Sequence, residues 1–262
     1  MSEMKQYRPG TFCWVELATS DAKAAKAFYG ELFGWNVEDQ EVPGGMSYSM
    51  LKRKGKDVAG LYEITAEMKS QGVPPHWLSY VSVANADESA TKAKSLGGTV
   101  LKDPFDVMDI GRMAVIQDPT QAVFALWQPK QHHGAALVNE AGAFCWNELM
   151  TRDTAAAEKF YTGLFGWSAE RQEGGSMPYT MFKNGERMAG GMLAITKEMG
   201  EIPPNWMVYF SVEECDQSVE RAKKMGATVL APPMDIPDIG RMAMLLDGQQ
   251  AAFSVIKLEN PQ

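Results

Sequence analysis

A chain of 262 residues, 45% hydrophobic and 22% charged, has ordinary globular composition and enough apolar residues for one large core or two ordinary ones. Its formal net charge of −8, without any basic run, argues against nucleic acid or an anionic membrane surface as partner, since both need clustered Lys and Arg. The opening MSEMKQYRPG lacks a signal-type apolar segment, and no stretch approaches the roughly 18 apolar residues of a membrane span, so a soluble cytoplasmic protein is expected.

Residues from Phe12 to Ala18 alternate as a half-buried strand does. Ser20 or Asp21 can cap a helix whose Ala25, Phe28 and Leu32 share one face, and Gly34 is placed to end it. Three strands are predicted next, Trp35–Val42, Tyr48–Lys52 and Val58–Ile64, separated by Pro43-Gly44-Gly45 and the charged KRKGKD turn. The order then recurs weakly: a strand over Trp77–Val83, a helix from Asp87 to Leu96 with Gly97 as its stop, and strands near Thr99–Lys102, Arg112–Gln117 and Val123–Gln128.

The whole pattern is written twice. FCWVEL at 12–17 returns as FCWNEL at 144–149, AFYGELFGW at 27–35 as KFYTGLFGW at 159–167, PPHW at 74–77 as PPNW at 203–206, and DIGRMA at 109–114 again at 238–243. A tandem duplication therefore covers nearly the whole chain, with four successive βαβββ units, two per copy. The expected division is a first domain over 1–130, a linker over 131–141 within the connector PKQHHGAALVNEA, and a second domain over 142–262. Three cysteines cannot make a disulfide framework, and Cys13 and Cys145 read as small buried hydrophobes.

The FY-(x)2-LFGW block, the DIGRMA block running into DPT, and the paired βαβββ units resemble the vicinal oxygen chelate superfamily of glyoxalases, bleomycin-resistance proteins and extradiol dioxygenases. That resemblance implies an α+β fold of two tandem glyoxalase-like domains. In each, two βαβββ units would pair their sheets into an incomplete barrel, a cup with a pocket inside. It also implies where metal-using members hold a divalent ion. Those positions correspond to Trp14, Tyr80 and Ala125 in the first copy and to Trp146, Tyr209 and Ser254 in the second. None is a usual ligand for such an ion, so no metal and no other cofactor is expected. Of three histidines, His132 and His133 fall in the polar connector, where solvent-facing side chains are expected, and His76 stands at the entrance of a strand.

Residues i and i+2 of a strand point the same way, so Glu16 follows Trp14, and Glu148 follows Trp146, into the expected cups. A carboxylate in an apolar, aromatic-lined pocket could have its pKa raised and serve as a general base, could bind a cationic ligand, or could pair with Arg112 or Arg241 of the DIGRMA blocks. Trp14, Tyr80 and Trp127 in one copy, and Trp146 and Tyr209 in the other, have the parity of the cup face and suit a planar ligand. Ile256 aligns with Trp127, so the two pockets should differ.

The primary expectation is a metal-independent, bleomycin-resistance-like protein binding small apolar or planar molecules in two cups. The expected ligand-binding set is Trp14, Glu16, Tyr80, Arg112, Trp127, Trp146, Glu148, Tyr209 and Arg241. Two alternatives stand beside it. One is a lyase, isomerase or dioxygenase-like enzyme using Glu16 or Glu148; the other is a structural protein whose pockets are filled by its own side chains. Either a monomer with two pseudo-symmetric domains or a homodimer is compatible with the repeat.

Overall fold

The computed structural model describes residues 3–42, 46–172 and 178–259. The predicted Pro43-Gly44-Gly45 turn lies outside the described residues. The first copy runs β1 (Phe12–Thr19), α1 (Ala22–Phe33), β2 (Asn36–Val42), β3 (Met46–Arg53), β4 (Lys56–Glu63), α2 (Ala66–Ser70), β5 (His76–Ser82), α3 (Ala86–Ser95), β6 (Thr99–Val107), β7 (Gly111–Gln117) and β8 (Val123–Pro129). The second runs β9 (Phe144–Thr151), α4 (Thr154–Phe165), β10 (Ser168–Gln172), β11 (Tyr179–Asn184), β12 (Arg187–Ala194), a 3-10 turn (Lys197–Met199), β13 (Asn205–Ser211), α5 (Cys215–Lys224), β14 (Thr228–Ile236), β15 (Gly240–Leu246) and β16 (Ala252–Leu258).

Each copy folds into one eight-stranded mixed sheet, ordered β2-β3-β4-β1-β5-β8-β7-β6 in the first and β10-β11-β12-β9-β13-β16-β15-β14 in the second. Each βαβββ unit is a four-stranded half whose first and last strands run parallel, and the halves meet antiparallel along β1–β5 and β9–β13. The sheets do not close, which agrees with the incomplete barrel expected from the resemblance.

Local chemistry explains the elements. Asp21 caps α1 by accepting from the Ala24 amide, and Gly34 ends it with φ +68°, a conformation that costs glycine least. Asp153 and Gly166 repeat both devices around α4. The third helix starts one residue earlier than predicted because the Asn85 side chain accepts from the Asp87 and Glu88 amides. Strand β6 continues to Val107, well past the predicted Lys102, because two register shifts let an edge strand carry Pro104. The five-residue α2 escaped prediction, being too short to show a helical period.

The two sheets turn their helix-bearing faces to each other. Phe28, Tyr29 and Phe33 of α1 pack against Phe210 and Phe253 of the second copy. In return, Phe160 and Tyr161 of α4 pack on Phe124 of the first. Each resulting core joins the first unit of one copy to the second unit of the other. Hydrogen bonds follow the same exchange. Trp77 donates to the Tyr29 hydroxyl at 3.0 Å, which donates to Asp247 at 2.9 Å; Trp206, Tyr161 and Asp118 form the matching chain at 2.8 and 2.8 Å. The Trp35 indole donates to the Gly142 carbonyl and the Trp167 indole to that of Gly10. Both FY-(x)2-LFGW blocks are thus spent on joining the copies. No described helix is long and apolar enough to cross a membrane.

The connector departs from expectation. Gly134, Ala135, Leu137 and Val138 are buried, and the Ala135 and Ala136 amides donate to the Cys13 and Asp57 carbonyls at 2.8 and 2.7 Å. The cause is local: the β1–β5 register shifts between Phe12 and Trp14, which leaves the Cys13 carbonyl to receive this apolar GAALV run.

Candidate functional site

Register brings the expected positions into rows across the faces opposite the helices. Trp14 pairs with Tyr80 and Tyr80 with Ala125; Trp146 pairs with Tyr209 and Tyr209 with Ser254. One row further along lie Leu78, Glu16, Gly60 and Met50 in the first copy, and Met207, Glu148, Gly191 and Met181 in the second.

In the first cup Glu16 is buried and doubly bonded. The Tyr48 hydroxyl donates to one carboxylate oxygen at 2.7 Å and the Tyr80 hydroxyl to the other at 2.8 Å, while the Trp14 indole donates to the Tyr48 oxygen at 3.3 Å. Burial pushes the Glu16 carboxyl above its ordinary range and the two tyrosine bonds pull it back. Burial and the neighbouring carboxylate hold both phenols well above the usual tyrosine value, so they remain donors. Tyr48 reaches Glu16 across β4 only because residue 60 is glycine: a Cβ there would fall on its hydroxyl. Gly191 does the same for Tyr179. Tyr48 and Tyr179 were absent from the expected set, although each lies in a block that both copies repeat, MSYSM and MPYTM.

The connector fills the mouth of this cup. The His132 ring stands edge-on to Trp14 at 4.6 Å and 86° and edge-on to Trp127 at 5.9 Å, and its carbonyl accepts from the Trp127 indole at 2.9 Å. Trp14, Tyr80 and Trp127 are left 4%, 3% and 5% exposed. His132 is therefore an inward residue, contrary to the expectation for a polar connector, and its buried Nε2 has no partner among the described residues. Burial lowers its pKa below the ordinary histidine value. His133 is exposed, as expected; His76 begins β5 and its Nδ1 lies 2.8 Å from the Pro74 carbonyl.

The second cup is related but not equal. The Trp146 indole donates to the Tyr179 hydroxyl at 3.1 Å and the Tyr209 hydroxyl to Glu148 Oε1 at 2.8 Å. The Tyr179 hydroxyl is a second hydrogen-bonding neighbour of the Glu148 carboxyl, behind Tyr209. Burial raises the Glu148 carboxyl, with Tyr209 and then Tyr179 opposing. Trp146 keeps partial exposure, Ile256 stands where the first cup has Trp127, and Met150, Met207, Met242 and Met244 line the face.

Arg112 and Arg241 are not brought to either cup. Arg112 ion-pairs with Asp87 at 2.7 Å and Arg241 with Asp216 at 2.6 Å, both on the helix side. Parity is the reason: Met113 opposite Trp127, and Met242 opposite Ile256, take the cup face, so the preceding arginine must point away. The tyrosines, not the arginines, partner the glutamates.

The donors at the metal-holding positions are poor ones. Trp14 and Ala125, like Trp146, offer no ligand atom for a hard cation, Tyr80 and Tyr209 direct their hydroxyls to glutamate, and no group of three His, Cys, Asp or Glu side chains converges among the described residues. These side chains do not fit a divalent ion there. Surface clefts of about 440 and 210 Å³ exist beside α1 and beside α3, and neither includes a predicted site residue.

The Glyoxalase/Bleomycin resistance protein/Dioxygenase superfamily matches residues 11–126 and again 142–253, and the chain belongs to it. Its sequence is 40% identical over 259 residues to CFP32 of Mycobacterium tuberculosis, whose name assigns it provisionally to the glyoxylases, with 98% of both chains covered. It is 32% identical over 268 residues to the anthracycline biosynthesis protein DnrV of Streptomyces peucetius, covering 97% of this chain and 96% of that one. Among solved structures, the Mn(II)-bound glyoxalase of Novosphingobium aromaticivorans superposes with a TM-score of 0.64 at 14% identity, over 100% of this chain and 87% of that one. A trihydroxybiphenyl dioxygenase of Sphingomonas wittichii gives 0.64 at 12%, over 95% and 91%. At such identities these two establish the fold alone.

Proposed function

We propose that this chain is a metal-independent, small-molecule-binding member of the superfamily in which the second cup receives an apolar or planar ligand and the first is held closed by the connector. The observation that carries the reading is the asymmetry at Trp14 and Trp146: one indole is covered by His132, the other keeps partial exposure beside a smaller Ile256. Methionine lining suits such a site, because unbranched thioethers repack around differently shaped guests. Similarity to a protein named for anthracycline biosynthesis favours a flat polycyclic guest. Three free cysteines fit a reducing, cytoplasmic setting. The test is tryptophan quenching across flat and non-flat apolar compounds. Saturable quenching by flat ones is expected in the wild type and in Trp14→Phe and is expected to vanish in Trp146→Phe; loss in Trp14→Phe instead overturns the assignment.

A second reading is an enzyme of the same superfamily with Glu148 as general base, favoured by a buried, raised carboxyl next to a tyrosine donor. Turnover of a hemithioacetal without added metal, lost in Glu148→Gln, would establish it over simple binding.

A further inference from the structure

We infer that His132 is a proton-operated plug: its neutral ring, seated at Trp14 and Trp127, shuts the first cup, and protonation expels the ring and frees connector residues 131–134 from the mouth. This rests on the part of the proposed reading in which the connector closes that cup.

The seat suits a neutral ring and not a cation. The imidazole stands edge-on to both indoles, and its buried Nε2 has no hydrogen-bond partner among the described residues. An imidazolium carries an N–H on each ring nitrogen, so protonation would leave a buried donor and a charge without an acceptor. The surrounding elements have none to spare. Strand β8 contributes no ionisable side chain, and the Glu16 oxygens of β1 are taken by Tyr48 and by Tyr80 of β5. Asp106 of β6 and Asp109 of the turn after it are bonded by Lys130 and Gln131. Asp57 of β4, 3.6 Å from Lys52, draws positive charge toward the ring, and His133 repels it. Loss of hydration is the largest of these effects, so the seated ring stays neutral to a lower pH than an ordinary histidine.

The mechanics are local. The Lys130 and His132 amides donate to the Ile110 carbonyl at 3.1 and 3.0 Å, and the Trp127 indole donates to the His132 carbonyl at 2.9 Å. The Lys130 bond recurs as Glu259 on Ile239 at 3.0 Å, so it belongs to the fold of each copy, whereas the two bonds at His132 belong to the plug. Beyond it Gly134 takes φ +118°, a conformation open to glycine, and the Ala135 amide fixes the chain again on the Cys13 carbonyl at 2.8 Å. The plug is thus a short loop between two fixed points with a glycine joint, able to open without disturbing the sheet. Its closed state binds the proton less tightly than the open one. Closure is therefore undiminished above the free histidine value of about 6.5 and weakens as pH falls below it.

The test follows acrylamide quenching of Trp14, taken as the difference between wild type and Trp14→Phe, from about pH 8 to about pH 4.5 in the full chain, while NMR titrates the His132 ring. Expected is a His132 midpoint below about 6.5, with Trp14 quenching rising severalfold over the same range. His132→Phe, whose ring cannot be charged, should keep Trp14 protected throughout, and His132→Ala should expose it at every pH. A midpoint at or above the ordinary value overturns the switch, and so does a charged His132 beside a Trp14 that stays protected. Quenching that still rises in His132→Phe overturns it too, by placing the titration on another group such as Glu16. Protection that survives in His132→Ala overturns the closure itself, and this inference with it. Comparing His132 charge with Trp14 exposure needs no substitution at His132, so misfolding of either variant leaves that arm intact.

Discussion

Glu16 and Glu148 sit where water is scarce, and the direction of their pKa shifts sets a pH dependence for the whole protein. Both are raised above the unfolded value of about 4.3, burial being the larger cause, as it is for Asp118 and Asp247. The folded state therefore binds protons more tightly than the unfolded chain. Stability from these groups is fully present below the unfolded pKa and is lost as pH rises through the folded one. Surface aspartates paired with Arg or Lys, such as Asp87 and Asp216, act in the opposite sense, so the informative quantity is a difference. Denaturant unfolding from pH 4 to 8 should show the Glu16→Gln/Glu148→Gln protein gaining stability relative to wild type as pH rises. A constant difference would mean that neither carboxyl is perturbed. At the same scale, Gly60→Ala should cost about 1–3 kcal/mol by displacing Tyr48 from Glu16, while Gly248→Ala, with open space around it, should stay within about 0.5 kcal/mol. Alternation along FCWVEL was enough to put Trp14 and Glu16 on one face. It could not supply Tyr48, which enters from two strands away across a glycine.

Helices, strands and connector each show how far a local pattern carries. Capping and stop residues located α1 and α3 because hydrogen bonds to helix ends are short-range events written in adjacent residues. The connector reads as polar because of its Gln and His residues, yet its backbone donors find the Cys13 carbonyl, at a register shift in β1, and the Asp57 carbonyl of β4, both far away in sequence. His132→Ala should uncover Trp14: its emission should shift to the red and acrylamide quenching rise, with little change in the far-ultraviolet circular dichroism. Unchanged quenching would show that the ring does not close the cup. The Trp77–Tyr29–Asp247 chain is likewise invisible to pattern, since the tyrosine belongs to one copy and its aspartate to the other. Tyr29→Phe leaves the buried Asp247 oxygen and the Trp77 indole short of a partner and should cost about 1–3 kcal/mol in equilibrium unfolding.

Across the whole molecule, the exchange of core between copies gives the duplication a physical purpose. Each half presents an apolar helix-bearing face that only the other half covers, and the tether keeps the second face at high effective concentration. Fragments 1–131 and 132–262 made separately should therefore be unfolded or self-associated, and should recover the native spectrum on mixing with a midpoint that depends on concentration, unlike that of the intact chain. A monomeric, cooperatively folded single fragment, seen by sedimentation with denaturant unfolding, would refute the shared core.

What the chain's letters determined alone are the things that depend on neighbours in sequence or on repetition: four βαβββ units, their caps, the family, and the parity that lines up Trp14, Tyr80, Trp146 and Tyr209. What the tertiary structure decided are the choices among faces and partners. It turned the LFGW aromatics toward the other copy, assigned the arginines to Asp87 and Asp216, and seated His132 on Trp14 while leaving Trp146 partly exposed. These outcomes are set by distances between segments a hundred residues apart, where burial and hydrogen-bond competition select one partner from several that local chemistry permits equally.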